Sequence, residues 1–498
     1  MMRVVVIGHG MVGARFVDDL AAADPKVEIL VLAKEREAPY NRVLLPGVVA
    51  GTVDAASLEM PTISNERVTV LRGAAAVAVD REARVVTDST GARHPYDRLV
   101  FATGSAARLP GVQGIADEKG LIEDVSVLKD LADAERILRA LKRSRRAVVL
   151  GAGVLGLEVA TGLASRGLRV TIVHHADRLM ERQLGSAASL IATSGLRRLG
   201  VEVRIGGTVT RAITKRGRLV AVRLDDGTEM LTDLLVMCAG TIPEATLARS
   251  AGLPCGRGIQ VGANLASPAD PAVFAIGDCA EPPGGASGLV ATGWDQARRL
   301  VASWTGRSGK KAVAPRDDEH EFPANSLVRV KASGLDVVTM GLSGKFDHGG
   351  RDLRAVRISD PAIGRFVEVV VSNGLLVGAT CVGDPVTAAN LTALFTRTLP
   401  VPSDPAHLIV RPLAGTATAA VAAHEMKDED LICKCNNVTK GEIGAAVAGG
   451  CTTRSAVARE TRATTGCGDC ARDVDELLAH SAGASPATNL ALTGASKG

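Results

Sequence analysis

Two stretches of the chain follow one pattern: a short β-branched run, a cluster of glycines, then apolar positions at helical spacing. RVVVIGHGMVGARFVDDL begins at Arg3 and RAVVLGAGVLGLEVATGLASRG at Arg146. Each predicts a strand, a tight turn and an amphipathic helix. Each is followed by a second β-branched run, VEILVLAKE ending at Glu35 and RVTIVHHADRL passing through His174 and His175, so a parallel β-α-β unit is expected twice. Two further apolar runs, YDRLVFATG and VFAIGD, predict strands ending at Thr103-Gly104 and Gly277-Asp278. TGWDQARRLV then opens like a helix, with Thr292 and Asp295 in capping-box spacing. Past residue 325 the period shortens to two: SLVRVKASGLDVVTMG and GRFVEVVVSNGLLVGAT alternate apolar and polar residues between glycine turns, which predicts a small β-rich domain. RSGKKAVAPRDDEHEFP and AGTATAAVAAHEMKDED read as linkers on either side of it. Two short helical patterns follow, the first opened by Thr439 with Glu442 three residues on. From Ala482 the chain is small and polar, as in a disordered tail.

The glycine spacing carries chemistry. In the first unit Gly8 makes the tight turn, Gly10 lets a pyrophosphate approach the backbone, and Gly13 lets the helix pack closely on the strand. Glu35 stands about where an acid that binds a ribose hydroxyl belongs. Gly151, Gly153 and Gly156 repeat the arrangement, so two dinucleotides are expected. The second copy has His174 and His175 where an acid is usual, which leaves NADH or NADPH open. His175 and Arg178 are candidates to face a 2′-phosphate, His174 is equally a neutral bystander, and both nucleotides are expected to serve. Asp278 ends a strand, and Thr292 is either a cap or the start of a helix aimed at a ligand.

Length and composition narrow the class. A chain of 498 residues exceeds a single core, which stops growing near roughly 250 to 300 residues, so three or four domains are expected. With 46% hydrophobic and 22% charged residues it reads as globular, and a net charge of +4 gives no reason to invoke nucleic acid or a membrane surface. MMRVVVIGHGMVG lacks the layout of a signal peptide, and no apolar run reaches the roughly 18 residues of a membrane span. The expectation is cytoplasmic, where thiols stay reduced and clustered cysteines read as metal ligands or redox centres. The basic helical segment ERILRALKRSRR is a solvated face or a docking surface for an acidic redox partner.

Four of the nine cysteines crowd the C-terminal end, Cys433 and Cys435 in LICKCNNVTK and Cys467 and Cys470 in TGCGDC. Four converging thiolates can hold zinc or an iron-sulfur cluster. Zinc ribbons favour C-x2-C at both ends, so the C-x-C half argues for the cluster. Cys381 and Cys451 read as packed bystanders.

The two glycine motifs, the Thr103-Gly104 strand and the Gly277-Asp278 strand, in that order, resemble the pyridine nucleotide-disulfide oxidoreductase superfamily over roughly residues 1–310. That resemblance implies an α/β fold with two Rossmann-like domains, the FAD domain discontinuous. The expected boundaries are 1–115 and 242–310 for FAD, 116–241 for NAD(P)H, 320–405 for the β-rich domain, and 428–481 for a small helical domain, with the tail at 482–498. It assigns Gly8, Gly10, Gly13, Glu35, Thr103, Gly104 and Asp278 to FAD, and Gly151, Gly153, Gly156, His174, His175 and Gly240 to NAD(P)H. It further pairs Arg42 with Glu158 beside the flavin and the nicotinamide, where they position the hydride transfer; otherwise Arg42 is a loop arginine and Glu158 a mid-helix polar residue. The cysteine spacing closely resembles the bacterioferritin-associated ferredoxin-like [2Fe-2S] domain, which implies Cys433, Cys435, Cys467 and Cys470 as ligands.

Disulfide reductases of the superfamily carry a cysteine pair near the flavin, but the first cysteine here is Cys238. APYNRVLLPGVVAG, LMERQL and CAGTIPEATLARSAGL instead resemble the NAD(P)H nitrite reductase large subunit and the assimilatory nitrate reductase electron-transfer subunit. NAD(P)H gives up two electrons as hydride, FAD takes the pair and releases them singly, and a [2Fe-2S] cluster carries one. The resemblance therefore implies electron transfer through FAD and the cluster to a nitrate or nitrite reductase catalytic subunit or another small redox protein, with a homo-oligomer left open. A reductase for free rubredoxin or ferredoxin, or a scaffold subunit of an amine or opine oxidase complex, are the alternatives. Too few residues follow Cys470 for a sirohaem module, so the chain is not expected to reduce nitrite alone.

Overall fold

The computed structural model describes residues 1–62, 65–118, 120–285, 288–306, 327–332, 334–344, 353–410, 422–433, 436–466, 468 and 470–481. Cys435, Cys467, the linker at 307–323, the first part of the linker at 414–430 and the tail from Ala482 fall outside these. The chain divides into a large compact unit ending near residue 415 and a small C-terminal unit.

The large unit opens with β1 (Met2–Ile7), α1 (Met11–Ala23), β2 (Val27–Ala33), the short helix α2 (Leu45–Ala50), β3 (Val68–Arg72) and β4 (Arg98–Phe101). It then forms a second sheet from β5 (Val125–Val127), β6 (Arg146–Leu150), β7 (Arg169–His174), β8 (Val201–Ile205) and β9 (Leu234–Met237), with helices α3 (Leu131–Leu141), α4 (Val154–Ser165) and α5 (Ser186–Arg198) between strands. The chain returns with β10 (Ala266–Ser267), β11 (Asp270–Ala275) and α6 (Val290–Thr305). The first sheet runs β10-β11-β4-β1-β2-β3, so its strands come from both sides of the insertion. The second runs β5-β9-β6-β7-β8 and is parallel throughout.

Both central strands are unbroken apolar runs because helices cover both faces of a parallel sheet. Val4, Val5 and Val6 are buried in β1, and Ala147, Val148, Val149 and Leu150 in β6. In each sheet the central strand pairs on both sides, Val4 with Ile29 and with Arg98, and Val148 with Thr171 and with Leu235. The first glycine loop therefore leaves the C-terminal end of β1 and the second that of β6, the edge where α/β folds bind ligands. The indole nitrogen of Trp294 donates to the Met11 carbonyl at 2.9 Å and ties α6 to the start of α1.

Helix α6 does not begin at Thr292. Leu289 is the residue at its cap, its carbonyl accepting the Gly293 amide at 3.2 Å, which places Thr292 inside the first turn. Asp295 accordingly makes no capping box and pairs with Arg298 and Arg299.

The β-rich domain is an antiparallel sheet of β12 (Val328–Ala332), β13 (Leu335–Gly341), β14 (Arg354–Asp360), β15 (Arg365–Ser372) and β16 (Leu375–Val382), in the order β12-β13-β16-β15-β14, backed by α7 (Pro385–Arg397). Val330, Leu335, Val337, Phe366 and Val382 extend the core that surrounds the second parallel sheet. Cys381 is buried within the domain's own core.

The small unit pairs β17 (Leu431–Cys433) with β18 (Val438–Thr439) and adds α8 (Lys440–Ala448), α9 (Arg454–Thr461) and α10 (Ala471–Ser481). The capping box read from the sequence is formed: the Thr439 hydroxyl accepts the Glu442 amide at 3.2 Å and the Glu442 carboxylate accepts the Thr439 amide at 2.9 Å. Ile432, Cys433, Ile443, Val457, Val474 and Leu477 make its core. Among the described residues no helix is long and apolar enough to cross a membrane.

Candidate cofactor-binding sites

The first glycine loop divides its work as the spacing predicts. Gly8 has φ +106°, and a Cβ there would lie 2.3 Å from the Ala102 carbonyl oxygen; a Cβ on Gly13 would lie 2.3 Å from that of Gly8. These two glycines are dictated by the turn itself. Gly10 differs, since its Cβ would meet only the Arg42 Nε, at 3.9 Å, so its small size keeps an approach open. Helix α1 starts at the next residue without a side-chain cap, leaving first-turn amides free for an anion. Between the glycines, the buried Nδ1 of His9 has no hydrogen-bond partner among the described residues. Burial, with Arg72 adding to it, pushes the His9 pKa down to about 4, so the imidazole is neutral. An orphaned ring nitrogen and an open backbone cradle fit the phosphate and sugar portion of a dinucleotide.

Glu35 follows β2 and is engaged from two directions. The Tyr40 hydroxyl donates to it at 2.7 Å, and the Arg42 guanidinium forms an ion pair with it. Arg42 also stacks 4.6 Å above the Tyr40 ring and donates to the Lys129 carbonyl at 3.3 Å. Across the sheet's C-terminal edge, the Ser105 hydroxyl donates to Asp278 at 2.8 Å and accepts from the Lys129 ammonium at 2.7 Å, with Lys129 Nζ 3.9 Å from Asp278. Burial lowers the Lys129 pKa, and Asp278 opposes that shift while Arg42 adds to it. Thr103 donates to the Glu244 carbonyl at 2.6 Å, and Gly104 holds φ +71° with open space beside it.

The second loop repeats the first. Gly151 has φ +114° and would place a Cβ 2.3 Å from the Cys238 carbonyl oxygen; on Gly156 a Cβ would be 2.0 Å from the Gly151 oxygen. Gly153 has nothing within 4 Å. At the end of β7 the buried His174 accepts the Ala152 amide on Nδ1 at 3.3 Å and faces the Glu181 carboxylate through Nε2 at 3.0 Å. An accepting Nδ1 puts the ring proton on Nε2. His175 is exposed and packs edge-on to His174. Arg178 is consumed by its own loop: it donates to Asp177 and to the carbonyls of Glu181 and Leu184, so it does not present a 2′-phosphate site. Gly240 adopts φ +93° with open space around it.

Arg42 and Glu158 form no ion pair with each other. Glu158 lies in α4, buried, and its carboxylate accepts the Lys331 backbone amide of β12 at 2.7 Å. Burial raises its pKa against that hydrogen bond, and burial with Glu158 nearby pushes the Cys238 thiol up to about 12. Arg42 is held instead by Glu35, over the first glycine loop. The reason is topological: α4 turns the Glu158 carboxylate toward the β-rich domain, whereas Arg42 sits on a turn returning to Glu35.

In the small unit Cys433 and Cys470 are both buried, and Cys451 is partly exposed. The Asn436 side-chain amide is 3.6 Å from the Cys433 sulfur, and it donates to the Arg462 carbonyl at 2.7 Å. Among the described residues no group of three metal-ligating side chains gathers, since two of the four cysteines lie outside them. Two buried thiols in one small core, one with an amide N–H aimed at its sulfur, fit thiolate ligation of an iron-sulfur cluster.

Residues 2–301 match the pyridine nucleotide-disulphide oxidoreductase family, and residues 431–480 match the BFD-like [2Fe-2S] binding domain. The chain belongs to the pyridine nucleotide-disulphide oxidoreductase family. It is 31% identical over 97% of its length to a nitrite reductase [NAD(P)H] of Bacillus subtilis, covering 58% of that protein. It is 29% identical over 96% of its length to an assimilatory nitrate reductase electron transfer subunit of the same organism, covering 59%. The fold superposes on putidaredoxin reductase in its covalent complex with putidaredoxin with a TM-score of 0.69 and 27% identity, over 82% of this chain and 95% of that one. The chain thus spans little more than half the length of the curated relatives it matches. As a family member it is an NAD(P)H-dependent FAD oxidoreductase, and its C-terminal domain adds a [2Fe-2S] cluster.

Lys129 is the site residue that sequence reasoning missed. It belongs to no glycine motif and precedes α3, yet its ammonium reaches Ser105 and Asp278 of the FAD fold. Hydrogen bonds to charged groups contribute about 1.5–3 kcal/mol, so Lys129→Met is expected to weaken FAD binding roughly 10- to 100-fold. Flavin fluorescence released on dilution measures this, and unchanged retention would remove Lys129 from the site.

Proposed function

We propose that this family member takes hydride from NAD(P)H onto FAD and passes electrons through its [2Fe-2S] domain to a nitrate or nitrite reductase catalytic partner in the cytoplasm. The observation that carries the reading is the state of the cysteines in the large unit. Cys238, Cys279 and Cys381 are buried and Cys255 is partly exposed, burial raises the thiol pKa of all four, and none lies near the first glycine loop in sequence. A buried, protonated thiol is a poor redox nucleophile, so no disulfide relay serves the flavin here. The remaining exit for electrons is the four-cysteine domain. The names of the relatives support a nitrogen-oxide reductase as the partner.

Within this reading the chain's own residues bind and orient. First-turn amides of α1 and α4 meet phosphates, Lys129 and Asp278 hold the FAD side, and buried Glu158 fixes α4 against β12 through the Lys331 amide. Glu158→Ala is therefore expected to disturb nicotinamide placement while FAD stays bound, and a misplacement of about an ångström can cost roughly 100-fold in rate.

The test is an anaerobic NADH titration followed by visible absorbance and electron paramagnetic resonance. The expected result is flavin bleaching together with a reducible cluster signal, then reoxidation when the catalytic nitrate reductase subunit and nitrate are added. Bound zinc without iron, or a reduced protein that the subunit and nitrate leave reduced, contradicts it. The likeness to putidaredoxin reductase favours one second reading, a reductase of a separate small redox protein, which predicts reoxidation by that protein after the cluster is removed.

A further inference from the structure

We propose that Glu181, held in place by His174, recognises the adenosine ribose of the nicotinamide nucleotide and makes NADH the preferred reductant over NADPH. This rests on the second parallel sheet being the nicotinamide site.

In folds of this kind the side chain closing the second strand binds the ribose 2′-hydroxyl, and an acid there both accepts its hydrogen bond and repels a 2′-phosphate. Strand β7 ends in His174, which from sequence alone reads as the loss of that acid. The structure restores it from seven residues further along the chain. The imidazole is 5% exposed and both nitrogens are occupied, Nδ1 by the Ala152 amide between Gly151 and Gly153, and Nε2 by the Glu181 carboxylate. The ring therefore spans from the phosphate loop to the carboxylate and offers a ligand nothing of its own. Glu181 is 31% exposed, so an oxygen acceptor is reachable at this strand end, beside the exposed His175.

The surrounding charge agrees. Burial raises the Glu181 pKa, but its own backbone amide and His174 outweigh that and hold the carboxyl below its usual range, so it is ionised near neutral pH. An ionised carboxylate has room for about four hydrogen bonds, and a ribose hydroxyl can donate one. The nearby Asp177 is 75% exposed and adds negative charge, while Arg178, 11% exposed, is tied to Asp177 and to two carbonyls. The exposed basic side chains next along this loop are His175 and Arg182. A phosphate carrying roughly two negative charges would sit against the carboxylate to reach them.

The experiment measures flavin reduction by NADH and by NADPH in stopped flow, with NAD⁺ and NADP⁺ affinities by calorimetry, for the wild type, Glu181→Gln and Glu181→Arg. Glutamine keeps the size and the contact with His174 and removes only the charge. The wild type should favour NADH by more than about tenfold in second-order rate constant, Glu181→Gln should shrink that ratio at least about tenfold, and Glu181→Arg should invert it, with matching changes in NADP⁺ affinity. Thermal melts and flavin content confirm that each variant is folded. An unchanged ratio in folded Glu181→Gln overturns the proposal, as does a wild type that favours NADPH. If neither nucleotide bleaches the wild-type flavin, the nicotinamide reading of this fold fails, and the proposal with it.

Discussion

Gly156→Ala is expected to lower the second-order rate constant of flavin reduction by NADH about 100-fold or more while FAD remains bound, and Gly13→Ala is expected to yield protein that purifies without flavin. The two substitutions are physically equivalent and fall on different folds. A Cβ on Gly156 would sit 2.0 Å from the Gly151 carbonyl oxygen, and one on Gly13 would sit 2.3 Å from that of Gly8. No rotamer relieves a clash between a methyl group and backbone, so the helix must move off its strand, and its first-turn amides move with it. Displacements near an ångström at such a site cost roughly 100-fold. Gly153→Ala provides the contrast, because nothing lies within 4 Å of its added Cβ and its φ of −76° suits alanine. That variant should melt like the wild type and lose affinity only for the nucleotide, since the space it fills is the ligand's. Wild-type NADH kinetics in both Gly156→Ala and Gly153→Ala would mean that no dinucleotide crosses this loop.

These glycines were legible in the sequence because the constraint is local: turn, cradle and helix contact all fall within six residues. The pairing of Thr439 with Glu442 was legible for the same reason, as a capping box spans four positions. The start of α6 was not, because its cap is the apolar Leu289, whose role is set by backbone geometry that no residue type announces. Arg42 and Glu158 show a second kind of limit. Their residue types suited a nicotinamide site, but partners depend on where each side chain points, and Glu35 and the Lys331 amide reach them. Lys129 and Glu181 show a third. Lys129 reaches Asp278 from a distant part of the chain and Glu181 reaches His174 across an irregular loop, so neither contact falls at a helix or strand spacing that the sequence could reveal. The basic segment 135–146 also changes meaning in three dimensions. Arg139 pairs with Glu135, Arg143 with Glu123 and Asp124, and Arg146 with Asp233, which leaves less unpaired charge for docking than the sequence suggests.

Replacing Cys433 or Cys470 with serine is expected to separate the two halves of the activity. Reduction of the flavin by NADH should stay within about twofold of wild type, because both glycine loops, Lys129, Asp278 and Glu158 belong to the large unit, which is compact without the cysteine domain. Reduction of dyes that take electrons directly from flavin should persist for the same reason. Cluster content should fall to background. Serine is a harder and more weakly acidic ligand than cysteine, and the soft thiolate is what iron-sulfur clusters require. In the Cys433 variant the buried Asn436 amide would also lose the sulfur it approaches at 3.6 Å, although it keeps the Arg462 carbonyl and the Thr465 hydroxyl as acceptors, so the fold of the small unit has a route to survive. Turnover with the catalytic partner should then drop about 100-fold or more, since the one-electron exit is cut while its supply is intact. The measurements are iron and sulfide content, the resonance signal of the reduced protein, and partner-coupled NADH oxidation on one preparation of each variant. Full partner-coupled turnover in a folded protein that has lost its cluster would refute the relay, and it would point to direct transfer from flavin to the partner instead.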